Sequence, residues 1–123
     1  MDKKHKILVV EDDQILNLMY KTKLESEGYE VVIAENGSQA LELVSPEIEL
    51  VLLDVIIPQL DGFSVLAELK KNELTKNIPV IMLTNLGTDE DRKKGESLGA
   101  VDYLLKVNLT PEQISETIKK YLK

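Results

Sequence analysis

The chain has 123 residues, 43% of them hydrophobic and 30% charged, which is enough apolar material for one core and too short a length for two domains. Its 15 Lys+Arg against 22 Asp+Glu give a formal charge of -7, and this argues against direct nucleic-acid binding, because a general phosphate-backbone binder needs a cationic face. Cysteine is absent, so disulfides, thiolate metal sites and cysteine nucleophiles are excluded. With no secretory segment and no apolar run near the ~20 residues that span a bilayer, the expected setting is cytoplasmic and not membrane-embedded.

Short runs that are apolar throughout mark strands buried on both faces, whereas apolar residues three or four apart mark amphipathic helices. The first run, Ile7 to Val10, is followed by Ile15, Leu16, Met19 and Leu24 at helical spacing, with Gly28 where a left-handed cap would end the helix. The second strand, Val31 to Ala34, precedes a helix carrying Ala40, Leu41 and Val44. The third, Leu50 to Leu53, precedes one carrying Val65, Leu66 and Leu69, with Pro58, Asp61 and Gly62 shaping the loop and the helix cap. Val80 to Leu83 is the fourth strand. A polar helix from Thr88 to Leu98 comes next, its run Asp89 to Lys94 read as a solvated face, its ends set by Thr88 and Gly99. A weaker fifth run, Val101 to Leu105, leads through Thr110 and Pro111 into a helix with Ile114, Ile118 and Leu122. Lys119, Lys120 and Lys123 lie near its C-terminus, where positive charge is favourable. Strands separated by helices cannot pair as hairpins, and right-handed crossovers then give a (βα)5 doubly wound α/β domain with a mostly parallel sheet, filling residues 1–123.

The residues just past the end of each strand carry the chemistry. The five runs end in Glu11-Asp12-Asp13, Glu35, Asp54, Thr84 and Lys106, and in an open parallel sheet all of these lie at the carboxyl edge, where ligands bind. An acid directly after four buried apolar residues, as at Asp54, is costly without a partner. Carboxylates held together repel and are tolerated around a cation, for which Mg2+, with oxygen ligands and a taste for one or two carboxylates plus a phosphate oxygen, is the natural guest. Asp12 and Asp54 are the acids for it, and Thr84 and Lys106, both donors, suit an incoming anion. Taken alone, the acids at 11 to 13 also fit a solvated turn with Asp13 capping a helix, and Tyr103 fits a plain edge aromatic.

Ile7 to Asp13, Val51 to Pro58 with Asp61-Gly62, Thr84, and Gly99 to Lys106 together resemble the receiver domain of bacterial two-component response regulators, from about Lys6 to Leu122. The resemblance implies a flavodoxin-like fold with strand order 2-1-3-4-5. It further implies that Asp54 accepts a phosphoryl group from a phosphohistidine of a sensor histidine kinase or histidine phosphotransfer protein. Glu11, Asp12, Asp54 and the backbone carbonyl of Ile56 would then hold Mg2+, Thr84 and Lys106 would grip the phosphoryl oxygens, and Thr84 and Tyr103 would form the switch. The face of the fourth helix, fifth strand and fifth helix would change its preference for an output domain or protein target. The domain would catalyse its own phosphorylation and dephosphorylation without being an enzyme for a separate substrate, as a monomer or a weak phosphorylation-linked dimer. His5, the sole histidine, is not a phosphohistidine candidate, so no donor is built into the chain.

Three positions depart from the family pattern. Val107 stands where proline usually follows the lysine through a cis peptide, and a trans bond with a locally different loop is expected, since a cis bond before valine costs ~3 to 4 kcal/mol. Asn85 replaces a small residue after Thr84 and is expected to alter the lifetime of the phosphorylated form. Asn17 stands where many relatives carry a basic residue, with an effect expected on kinase docking. A docking domain that works without phosphorylation is disfavoured by the complete set of acids and Thr84. A haloacid-dehalogenase-type hydrolase lacks its second acid, since that position is Ile56, and a flavin module lacks a phosphate loop after the first strand.

Overall fold

A computed structural model describes residues 4–122. Strands β1 (Lys6–Val10), β2 (Glu30–Ala34), β3 (Leu50–Leu53), β4 (Val80–Thr84) and β5 (Asp102–Leu105) alternate with helices α1 (Gln14–Ser26), α2 (Gly37–Leu43), α3 (Gly62–Lys71), α4 (Asp89–Ser97) and α5 (Pro111–Tyr121). All strand pairings are parallel, and the order is β2-β1-β3-β4-β5. This is the doubly wound α/β fold expected from the alternation of patterns, with the flavodoxin-like strand order that the resemblance implied. Among the described residues no helix is long and apolar enough to cross a membrane.

The sheet divides the core into two layers. Leu8, Val10, Val51, Leu53, Val80 and Met82 face Val65, Leu66 and Leu69 of α3, while Ile7, Val9, Leu50, Leu52, Ile81 and Leu83 face Tyr20 and Leu24 of α1 and Ile114 and Ile118 of α5. Alternate residues of one strand point to opposite faces, so β1, β3 and β4 must be apolar throughout. Gly28 and Gly99, with φ of +92° and +107°, follow the C-termini of α1 and α4, and the Thr88 and Thr110 side chains accept from Asp91 and Gln113 N–H groups as helix caps.

The structure corrects the expected face of α1. Asp13 caps the helix, its carboxylate accepting from the N–H groups of Ile15 and Leu16 at 2.9 and 3.0 Å. With the start fixed there, Asn17, Tyr20 and Leu24 turn onto the sheet, and Ile15 and Met19 are exposed. Apolar residues occupy both sides of this helix, so spacing alone does not select the buried side. Smaller shifts occur at element ends: Thr84 is the last residue of β4, Val101 lies outside β5, and Val44 and Leu122 are C-caps of α2 and α5. Lys123 lies outside the described residues.

Candidate phosphoryl and metal site

The ends of β1 and β3 are paired as neighbours, Val10 against Leu53, so Glu11 and Asp54 leave the sheet side by side. Their backbones are held as tightly as the strands, with Glu11 N–H donating to the Ala34 carbonyl at 3.0 Å and Asp54 N–H to the Val10 carbonyl at 3.1 Å. Beneath α1, the buried Asn17 side chain donates through Nδ2 to the Glu11 carbonyl at 2.6 Å. Its Oδ1 is buried without a hydrogen-bond partner among the described residues. Asn17 is therefore a support of the acid loop from below.

On the other side of Asp54, α3 comes very close. Asp61 caps α3, its Oδ1 accepting from Ser64 N–H at 3.1 Å, and Gly62 donates its N–H to the Val55 carbonyl at 2.9 Å. A Cβ on Gly62 would stand 2.1 Å from the Asp54 carbonyl oxygen. Glycine is needed here because backbone passes against backbone.

Glu11, Asp12 and Asp54 present carboxylate oxygens that all lie within 4.8 Å of one another. Glu11 and Asp54 are buried and Asp12 is exposed. Lys106 crosses from the end of β5, past β4, and its ammonium donates to Asp54 Oδ2 at 2.5 Å and to Glu11 Oε1. Asp54 Oδ1 accepts the Ile56 N–H at 3.2 Å, and Glu11 Oε2 accepts the Asp13 N–H at 2.9 Å. Burial pushes the Glu11 carboxyl above its ordinary range, and the Lys106 bond offsets only part of that. Burial also opposes the Lys106 charge, but its bonds to Asp54 and Glu11 outweigh this and raise its pKa. These acids, Lys106, Ile56 and Asn85 line one open pocket of about 390 Å³.

Thr84 is fully buried and does not line that pocket. Its Oγ1 accepts the Leu86 N–H at 3.3 Å. Tyr103 is buried as well, and its hydroxyl donates to the Leu86 carbonyl. The two expected switch residues thus meet on one residue, Leu86, at the start of the β4–α4 loop. The Lys106–Val107 peptide is trans, as expected, no cis bond occurring among the described residues, and Lys106–Asn108 form a 3-10 turn. A role for Asn85 toward this turn was not expected; its Oδ1 accepts the Val107 N–H at 3.1 Å, and the amide standing where the family pattern has a small residue marked the position without indicating the partner.

Residues 7–119 match the family described as "Response regulator receiver domain". The chain is 46% identical over 102 residues to the transcriptional regulatory protein CpxR of Escherichia coli strain K12, covering 83% of this chain and 43% of CpxR. It thus spans less than half the length of that regulator. Among solved structures it is similar to the chemotaxis protein CheY4 of Vibrio cholerae, with 28% identity, a TM-score of 0.88 and coverage of 98% of this chain and 100% of that one. It is also similar to the Mn(2+)-bound form of response regulator Rcp1, with 30% identity, a TM-score of 0.81 and coverage of 91% and 88%.

Proposed function

Because the chain belongs to the response regulator receiver domain family of two-component systems, we propose that it is a phosphoacceptor switch in which Asp54 takes a phosphoryl group from a kinase or phosphotransfer-protein phosphohistidine in an Mg2+-dependent reaction. The observation that carries this reading is the convergence of Asp54, Glu11, Asp12 and Lys106 at one pocket at the carboxyl edge of the sheet. A cluster of carboxylate oxygens suits a hard divalent ion; Glu11, Asp12 and Asp54 would hold it, with the Ile56 backbone carbonyl as a further oxygen ligand. When bound, the ion supplies neutralisation of charge on the phosphoryl oxygens.

The chain's own groups do the rest. A carboxylate oxygen of Asp54 forms the new P–O bond as the P–N bond to the donor imidazole breaks, and the imidazole takes up a proton. Strand β3, buried at all four positions, fixes the attacking group for in-line approach. The Lys106 ammonium, already on Asp54 Oδ2, follows the negative charge onto the phosphoryl oxygens. The Thr84 hydroxyl is drawn toward the same group, away from the Leu86 N–H, and because the Leu86 carbonyl also receives the Tyr103 hydroxyl, the pull is passed to β5 and α4. The surface of α4, β5 and α5 is thereby altered for an output domain or target. The exposed Ile15, Leu18 and Met19 on α1, beside Pro111 at the start of α5, form an apolar surface suited to the incoming donor protein.

Incubation with Mg2+ and acetyl phosphate, followed by intact-mass measurement, tests this. One added phosphoryl group is expected, and none in Asp54→Asn. A gain that survives the substitution, or no gain in the unsubstituted chain, overturns the reading.

A further inference from the structure

Lys106 reaches the acids from a backbone position that the sheet no longer holds. The β4–β5 ladder ends at the pair Thr84 and Leu105, and Lys106 opens a three-residue turn in which no residue is buried and no side chain caps the N-terminus. The bond that closes this turn, from Leu109 N–H to the Lys106 carbonyl, is 3.3 Å long. One step past the end of β4, the Asn85 carboxamide oxygen accepts the Val107 N–H at 3.1 Å. A side chain thus adds one rung to the ladder after backbone pairing has stopped, and that rung lands on the residue next to Lys106.

We propose that Asn85 is a positioning residue for Lys106, fixing through the Val107 N–H the turn from which the ammonium crosses β4 to Asp54 and Glu11. This rests on the phosphoacceptor reading, in which Lys106 is the phosphoryl contact. Lysine ends in a compact charge on a flexible four-carbon stem, so the head is placed only as well as the Cα that carries it. A misplaced Cα lets the ammonium spend part of its time away from the acids, and the rate falls by that fraction. The clamp needs an acceptor at 85 and an N–H at 107, and both are present here.

The test compares Asn85→Ala in two backgrounds, native and Lys106→Ala, by the rate of phosphoryl uptake from acetyl phosphate with Mg2+, and follows Val107 amide hydrogen exchange by NMR without any phosphodonor. The expected result is that Asn85→Ala slows uptake by about 2- to 10-fold when Lys106 is present, in line with one net hydrogen bond, and has no effect when it is absent. Val107 exchange protection should fall by a similar factor. Equal slowing in both backgrounds overturns the proposal, since a wall of the pocket or a general structural role would act without Lys106. Unchanged Val107 protection in Asn85→Ala overturns it as well. If the unsubstituted chain takes up no phosphoryl group, the phosphoacceptor reading has failed, and the clamp is then judged by exchange alone: lost on substitution it stands, unchanged it falls.

Discussion

In Lys106→Met the aliphatic stem is kept and the charge removed, which leaves Glu11 and Asp54, with side chains 3% and 6% exposed, facing each other beside Asp12. Removing one partner of a buried pair costs about 3 to 5 kcal/mol. The site opens to solvent through its pocket, so the loss expected in the presence of a chelator is at the low end, about 3 kcal/mol. Cation affinity should move the opposite way. Two unit charges 4 Å apart interact by ~1 kcal/mol even at the permittivity of water, and a doubly charged ion doubles that, so deleting the ammonium relieves about 2 kcal/mol of repulsion. At ~1.4 kcal/mol per factor of ten, Mg2+ should bind Lys106→Met about 30-fold more tightly, while uptake from acetyl phosphate falls. Urea denaturation with chelator and calorimetric Mg2+ titration at pH 7 read the two quantities. The native Lys106 pKa is raised above 10.5, so the stability it contributes is complete below that value and is lost as pH rises through the folded pKa; the gap between the two proteins should narrow on that alkaline side. Equal or weaker Mg2+ binding by Lys106→Met would refute the view that the ammonium and the cation contest the same acids.

Three further outcomes are expected. Gly62→Ala puts a Cβ 2.1 Å from the Asp54 carbonyl oxygen and 2.7 Å from Val55 Cα; something must move, and a loss of roughly 2 kcal/mol or more in denaturation should accompany slower phosphoryl uptake at Asp54. Burial of the Tyr20 hydroxyl pushes its pKa up to about 12, so the folded state holds that proton longer than the unfolded one and stability falls as pH rises from about 10 to 12. Tyr20→Phe should flatten that limb of the pH–stability curve, and an unchanged slope counts against the assignment. Leu18→Ser and Ile15→Ser, at positions 67% and 74% exposed, should leave stability within about 0.5 kcal/mol and uptake from acetyl phosphate unchanged, yet slow transfer from a phosphorylated donor protein by about tenfold.

The fold was legible because each element had to satisfy one strong requirement. Strands covered on both faces need four or five consecutive apolar residues, and β1, β3 and β4 have them, which places Glu11, Asp54 and Thr84 at one edge without reference to any structure. The long reach of Lys106 followed from the strand order that the family resemblance implied, since only an extended side chain spans β4. The phase of α1 was not legible, because Ile15, Leu18 and Met19 offer as good an apolar stripe as Leu16, Tyr20 and Leu24, and the choice between them is made by the Asp13 cap and by docking on the sheet. The burial of Asn17 was hidden for the same reason: a polar residue on an unassigned face looks solvated until the helix is rotated. Hydrogen bonds between a side chain and a distant backbone, such as Asn85 to Val107, leave no periodic trace in sequence, so the turn after Lys106 could be expected to differ without its fastening being foreseen.

The packing also separates a strongly held part of the domain from a weakly held one. Asp54 follows a strand buried at every residue and sits between β1 and β4, the middle of the sheet, where local opening requires breaking pairings on both sides. α4 is different: Gly95 is its one buried residue among the nine of the helix, and it is fastened to β5 by Arg92, which donates to the Tyr103 carbonyl at 3.2 Å and lies over the Tyr103 ring. A helix with so little apolar burial is held mainly by polar contacts worth about 0.5 to 1.5 kcal/mol each, and charge-assisted hydrogen bonds to a phosphoryl group, were Asp54 to carry one as proposed, would supply energy of that size or more. On the phosphoacceptor reading, a force applied at Leu86 through Thr84 would have to shift only the weakly packed side of the sheet, while Asp54 and Glu11 would stay anchored in the strongly packed one.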